Sequence, residues 1–312
     1  MISIRSPRLC FAITTVAASL IVQPLPSAAQ SVAYVSATGG GSACTPAAPC
    51  GDFISAMQSL TSGGRILCLN PAWTLASFAP SNLTNRTFDI DCPGGSWGAI
   101  SSSPLLTYNG HLTLTFRNMN FTGLGSSDNA MKVIGSGTLI FDNCAFANFF
   151  GPALDIEPNA AFNLVITNSR ISSSASGVLL KPAAGGSIKA TLDRVTITGN
   201  NGGGIKTDST NGTVDLGVTD SEISNNVGNG INLVGSANQN MLNLSRTVIA
   251  KSGVAGLQAN GANAGVLVDT TLFDTNASGA TSVVAGGHIL TYGNNRIVGS
   301  SGSGFTGSAS LQ

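Results

Sequence analysis

Eight apolar residues recur at nearly constant spacing: Phe121, Phe146, Ile171, Ile197, Ile223, Ile249, Phe273 and Ile297, separated by 25, 25, 26, 26, 26, 24 and 24 residues. A repeat of about 25 residues is too short for paired helices and matches one coil of three short strands closed by turns. Apolar and polar residues alternate within the repeat. Leu114-Thr115-Phe116-Arg117-Asn118-Met119-Asn120-Phe121, Ala190-Thr191-Leu192-Asp193-Arg194-Val195-Thr196-Ile197 and Leu216-Gly217-Val218-Thr219-Asp220-Ser221-Glu222-Ile223 align on one another. Side chains two apart on a strand share a face, so Phe116, Leu192 and Val218 turn inward with Phe121, Ile197 and Ile223, while Asn120, Thr196 and Glu222 face water.

Three residues before each marker stand Asn118, Asn143, Asn168, Arg194, Asp220, Arg246, Thr270 and Asn294. Asn tolerates left-handed backbone and bonds its own turn, so this column is expected to be a bend. Ahead of the stack, Asp52 is placed to cap a short helix that carries Phe53, Met57 and Leu60 on one face, and Gly63-Gly64 stop it. Such a helix would lid the open end of a solenoid, whose first coil otherwise exposes apolar interior. The pattern therefore divides the chain into a segment 31–63, a solenoid 64–305 and a tail 306–312. The tail has no helix to lid the last coil; either Phe305 and Leu311 fold back over the interior, or that end meets another subunit as a homo-oligomer.

A second register follows the bends: Met131-Lys132-Val133, Leu154-Asp155-Ile156-Glu157, Val178-Leu179-Leu180-Lys181, Ile205-Lys206-Thr207-Asp208, Ile231-Asn232-Leu233-Val234 and Leu257-Gln258-Ala259-Asn260. With Met131, Leu154, Val178, Ile205, Ile231 and Leu257 inward, the opposite face carries Lys132, Asp155, Glu157, Lys181, Lys206, Asp208, Asn232, Gln258 and Asn260. Coils about 4.8 Å apart would set these nine groups in one stripe along the axis, a shape suited to an extended sugar chain.

Composition narrows the classes. Thirty-nine glycines, 9% charged residues and 42% hydrophobic residues fit strands joined by tight turns and exclude disorder. Lys and Arg are scattered singly and never interleave with aromatic residues, so no nucleic-acid footprint exists. Residues 1–29 read as a signal peptide: Arg5 and Arg8 precede an apolar run too short to span a bilayer, and Ser27 and Ala29 flank a small-residue cleavage point. Its removal takes two of 14 basic residues and none of 14 acidic ones, leaving a net charge of −2. Export to the periplasm, the medium or the cell surface is expected, with no membrane span after cleavage.

An exported chain keeps disulfides. Cys44 and Cys50 bracket a loop with two prolines and are expected to be bridged; Cys68 and Cys92, 24 residues or one coil apart, can face each other on neighbouring coils. Cys144 occupies the place of Met119, Ser169, Val195, Ser221, Thr247 and Thr271, two before the marker, and should be buried and inert.

The marker pattern, the Asn-rich bends and the capped start resemble the right-handed parallel β-helix proteins of the pectin lyase-like superfamily, over nearly the whole chain after residue 30. The resemblance implies an all-β, right-handed parallel β-helix solenoid with a short N-terminal capping helix. It also implies a family that includes pectate lyases, polygalacturonases, alginate epimerases, phage tailspikes and adhesin passenger domains. The chain departs from the enzymes. It lacks the Asp-Asp pair and the Asn-Thr-Asp, Gly-His-Gly and Arg-Ile-Lys strings of polygalacturonases and the Trp-Ile-Asp-His string of pectate lyases; its two histidines, His111 and His288, are read as strand or turn residues.

Two functions follow. The first is a non-catalytic secreted or surface solenoid that binds polysaccharide or another cell-surface component, needing no cofactor. The alternative is a lyase or epimerase acting on uronic-acid glycans. There Lys181 or Lys206 would take the C5 proton, while Asp155 or Glu157 holds Ca2+ on the substrate carboxylate; Asp155, Glu157 and Asp208 supply the hard oxygen ligands that calcium prefers.

Overall fold

The computed structural model describes residues 31–61, 63–70, 72–74, 83–98, 104, 106–124, 128–302 and 304–310. Residues 1–30, where a signal peptide is expected, and Leu311 lie outside them. One continuous set of parallel ladders runs through the protein, about nine turns long. A representative turn contains Ser176–Leu180, then Ser187–Asp193, then Thr196–Thr198, each paired in parallel with its counterpart one turn later. The first type of strand forms a sheet of eight, from Leu106–Tyr108 to Thr281–Val284; the other two types share a second, larger sheet.

Register follows the repeat. Phe121, Phe146, Ile171, Ile197, Ile223, Ile249, Phe273 and Ile297 are successive direct partners. Seven of the eight are buried, and Ile297, in the last of these turns, packs against the core only in part. In the early turns the column is aromatic: the Phe121 and Phe146 rings stack at 4.8 Å, Phe116 and Phe141 at 5.6 Å, and Trp97 sits 5.8 Å from Phe121. Later turns fill the same interior mainly with Ile, Leu and Val, with Phe162 and Phe273 as exceptions.

The bend column is left-handed at seven of its eight positions, with φ between 45° and 57° from Asn118 to Thr270. Asn294 is the exception, because Gly293 takes the positive φ there. Left-handed backbone costs a non-Gly residue roughly 1–2 kcal/mol, and stacked side chains offset it here. Asn143 Nδ2 donates to Asn118 Oδ1 at 2.7 Å, Arg194 Nε donates to Asn168 Oδ1 at 2.8 Å, and Arg246 grips Asp220 through Nε and Nη2, both at 2.8 Å. That hydrogen-bonded guanidinium holds the Asp220 carboxyl below the usual carboxylate range.

The helix is Phe53–Ser59, and its N-cap Asp52 accepts from the Ser55 backbone N–H at 2.7 Å and the Ser55 hydroxyl at 2.8 Å. It buries Phe53, Ala56 and Met57 against the first turns, with Phe53 5.2 Å from Trp97. Gly63 must be glycine, since φ is +90° and a Cβ would stand 2.3 Å from the Thr87 carbonyl oxygen. The ladder begins earlier than residue 64: Val32–Val35 already pairs in parallel with the strand Gly64–Cys68. Both expected disulfides are present, Cys44–Cys50 closing the loop and Cys68–Cys92 joining neighbouring turns. At the far end Gly307–Ser308 extends the parallel ladder from Leu290–Thr291, and Phe305, packed edge-on to Phe273 at 6.5 Å, covers part of the interior.

Cys144 is buried, and burial pushes its thiol up to about 11. Iodoacetamide at neutral pH is therefore expected to spare Cys144 in the native protein and to modify it in denaturant, as read by peptide mass mapping. Native labelling faster than unfolding would contradict this placement.

Candidate functional site

The eight-stranded sheet buries Met131, Leu154, Val178, Ile205, Ile231 and Leu257 as one column of direct partners. Their neighbours point the other way, as alternation requires, but they make two columns rather than one stripe. Lys132, Asp155, Leu179, Lys206, Asn232 and Gln258 are stacked in register. Two residues further along the strands come Glu157, Lys181, Asp208, Val234 and Asn260, with the last three in direct register. Lys181 therefore does not lie above Lys132, Asp155 and Lys206; Leu179 takes that place. Period-2 alternation assigns a face and cannot say which of two columns on that face a residue joins.

The cation–carboxylate pairs divide this surface. Lys132 Nζ lies 2.7 Å from Asp155 Oδ2 and 3.1 Å from Glu157 Oε2, and Lys181 Nζ stands 3.9 Å from Glu157 Oε1. Burial raises the Asp155 pKa, and the hydrogen bond from Lys132 only partly opposes it. For Lys132 burial acts against the ammonium, but the hydrogen bonds and charges of Asp155 and Glu157 together outweigh it and raise the pKa.

Beside this cluster a cleft of about 350 Å³ is lined by Leu179, Lys181, Lys206, Asp208, Asn229 and Asn232. Lys206 makes no ion pair among the described residues, and the Asn232 Oδ1 is buried without a hydrogen-bond partner. Asp208 is held in its own turn, its Oδ1 accepting from Thr210 N at 3.0 Å and Thr210 Oγ1 at 2.6 Å. Lys181 also borders a second hollow of about 410 Å³ with Glu157, Asn159 and Asn211. Of the nine expected contacts, four thus share the cleft; Lys132 is engaged with Asp155 and Glu157, while Gln258 and Asn260 continue along later turns. Gln258 is tied to both neighbours, accepting from Asn229 at 3.2 Å and donating to Ser282 at 3.4 Å.

Asn229 was legible only as one residue of an Asn- and Gly-rich turn. Its side chain also accepts from the Ala255 backbone N–H at 3.0 Å, which fixes the rim of the cleft. Asp155, Glu157 and Asp208 do not converge: the first two share Lys132, and among the described residues no three His, Cys, Asp or Glu side chains group as a metal ion would need. His111 Nδ1 meets the Ser136 hydroxyl at 2.5 Å. A larger hollow of about 490 Å³ on the other sheet, with Met241, Leu267, His288 and Leu290, includes no carboxylate to pair with its histidine.

The model of the family described as right handed beta helix region matches residues 105–273 and 156–311. No curated protein matches the chain. Among solved structures, a pectate lyase is similar at 17% identity and TM-score 0.65, covering 91% of this chain and 79% of that one. A rhamnogalacturonan lyase is similar at 11% identity and TM-score 0.50, covering 78% and 74%. At these identities the likeness is one of fold. The matched segments, the in-register turns and the parallel pairing agree, and the chain belongs to the right-handed β-helix family.

Proposed function

We propose that the protein is an exported β-helix that binds an extended anionic polysaccharide along the eight-stranded sheet, without chemistry, through the cleft of Lys181 and Lys206. The observation that carries this reading is Lys206: an exposed ammonium in a cleft, with no carboxylate partner among the described residues, beside an amide oxygen that lacks a donor. A carboxylate on a sugar ring satisfies the lysine. Two disulfides support an oxidising destination, in the periplasm or outside the cell. The carboxylates that a calcium-dependent elimination would use, Asp155 and Glu157, are already bonded to Lys132, which favours binding over catalysis.

Calorimetric titration with oligogalacturonate and oligoalginate tests the proposal. Lys206→Ala is expected to weaken binding about tenfold, the loss of one charge-assisted contact of about 1.4 kcal/mol. Affinity should fall with added salt, as for any partly exposed ion pair. Equal affinity of wild type and the Lys181→Ala, Lys206→Ala double variant would remove the reading. Growth of ultraviolet absorbance from unsaturated product, abolished in either lysine variant, would replace it with a lyase.

A further inference from the structure

A charged cluster on the eight-stranded sheet lies outside the cleft. Lys132 and Asp155 are direct partners on adjacent strands, with Nζ 2.7 Å from Oδ2 and 3.1 Å from Glu157 Oε2. Asp155 is only 8% exposed, and its Oδ1 is buried with no hydrogen-bond partner. Leu179, the apolar residue that interrupts the column, is its direct neighbour on the next strand. An ion pair that leaves one carboxylate oxygen buried and unsatisfied is a poor arrangement for two charges, because the desolvation cost is met by a single contact. A neutral amide between the same two side chains removes both charges.

We propose that Lys132 and Asp155 join in an intramolecular isopeptide bond, with Glu157 carrying the proton. The proposal is independent of the glycan reading, since neither Lys132 nor Asp155 lines the cleft. The 2.7 Å contact first passes a proton from the ammonium to the carboxylate, giving an amine and a carboxylic acid. Burial shifts Asp155 toward its protonated form, whereas Lys132, a third exposed, is held toward its ammonium by Asp155 and Glu157, so the neutral pair is a minority species from which the bond forms. The Nζ lone pair then adds to Cγ of Asp155. Glu157 takes a proton from the nitrogen and returns it to the departing hydroxyl, which leaves as water. One C–N bond forms and one C–O bond breaks; the ammonium and carboxylate become an amide and a water, and no oxidant, reductant or further reactant takes part. Strand register holds the two groups together, which supplies the effective concentration that a free amine and acid lack in water. The product is a link between neighbouring turns that reducing agents leave intact.

Intact mass measurement of the reduced full chain, with tryptic mapping, tests this. The wild-type protein should be lighter than its sequence by one water, with no cleavage after Lys132 and a branched peptide joining Lys132 to Asp155. Lys132→Arg and Asp155→Ala should each restore the full mass, and Glu157→Gln should lower the linked fraction at least tenfold. A wild-type chain at full mass overturns the proposal. So does a water loss that persists in Lys132→Arg, which marks a cyclised Asp elsewhere; complete linkage in Glu157→Gln overturns the role given to Glu157.

Discussion

Replacing Phe146 by Ala is expected to cost about 3–5 kcal/mol, whereas Phe150→Ala, four residues on, should change stability by no more than about 0.5 kcal/mol. The two phenylalanines differ only in where the coil places them. Phe146 is fully buried, stacked on Phe121 at 4.8 Å with planes 6° apart and edge-on to Phe141 at 4.9 Å. Its removal forfeits the transfer energy of the ring and opens a cavity between rigid ladders that cannot close over it, since strand spacing is fixed by hydrogen bonds. Phe150 is 66% exposed at the turn that follows. Urea unfolding midpoints of the two variants measure the contrast. A Phe146→Ala loss below about 1 kcal/mol would mean that the marker column is not the core of this solenoid.

How far the sequence speaks depends on which interval carries the information. The marker column was legible because an inward side chain has one neighbour above and one below, so each turn must supply an apolar residue at the same place. The bends were legible for a different reason. Left-handed backbone favours Asn, and the Asn of that column point to the conformation that Asn118, Asn143 and Asn168 adopt and that Arg194, Asp220, Arg246 and Thr270 share. The capping helix and both disulfides followed from local signals at Asp52 and from cysteines one loop or one turn apart.

The outward columns were not legible to the same degree, because solvent imposes only polarity there. From Lys132 to Asp155 is 23 residues, from Asp155 to Leu179 is 24 and from Leu179 to Lys206 is 27, so unequal turns hide the register. A reading that collects polar residues passes over Leu179 and places Lys181 in the wrong column. The same habit hid the polar ladder inside the protein. Ser174, Asn200, Asn226, Ser252 and Asn276 each lie three residues after a marker and are buried, yet their residue types suggest ordinary exposed turns. The only signal was again their period, which matches that of the core.

That internal ladder yields the second large effect. Asn226 is 1% exposed, and its Oδ1 accepts from the Asn200 backbone N–H at 3.1 Å and from Asn200 Nδ2 at 2.9 Å, while its Nδ2 donates to the Ile197 carbonyl at 3.1 Å. Asn226→Ala strands two donors and one acceptor in the interior, and at 1–3 kcal/mol for each unsatisfied group the expected loss is about 4 kcal/mol, insensitive to pH. Asn225→Ala, one residue earlier and exposed, should cost about 1 kcal/mol, because what is at stake is its left-handed backbone, with φ 56°, and surface hydrogen bonds from its Nδ2 to Ser224 at 3.2 Å and Thr198 at 3.5 Å that water replaces. Asn226→Asp separates hydrogen bonding from charge. Burial raises the folded-state pKa of the new carboxyl above its unfolded value, so the penalty is absent at pH below about 4 and grows as pH rises through that value, levelling off above the folded pKa. Denaturation midpoints measured from pH 3 to pH 8 should therefore run parallel for wild type and Asn226→Ala and diverge for Asn226→Asp. Equal losses for Asn226→Ala and Asn225→Ala would show that the ladder contributes no more than a surface turn.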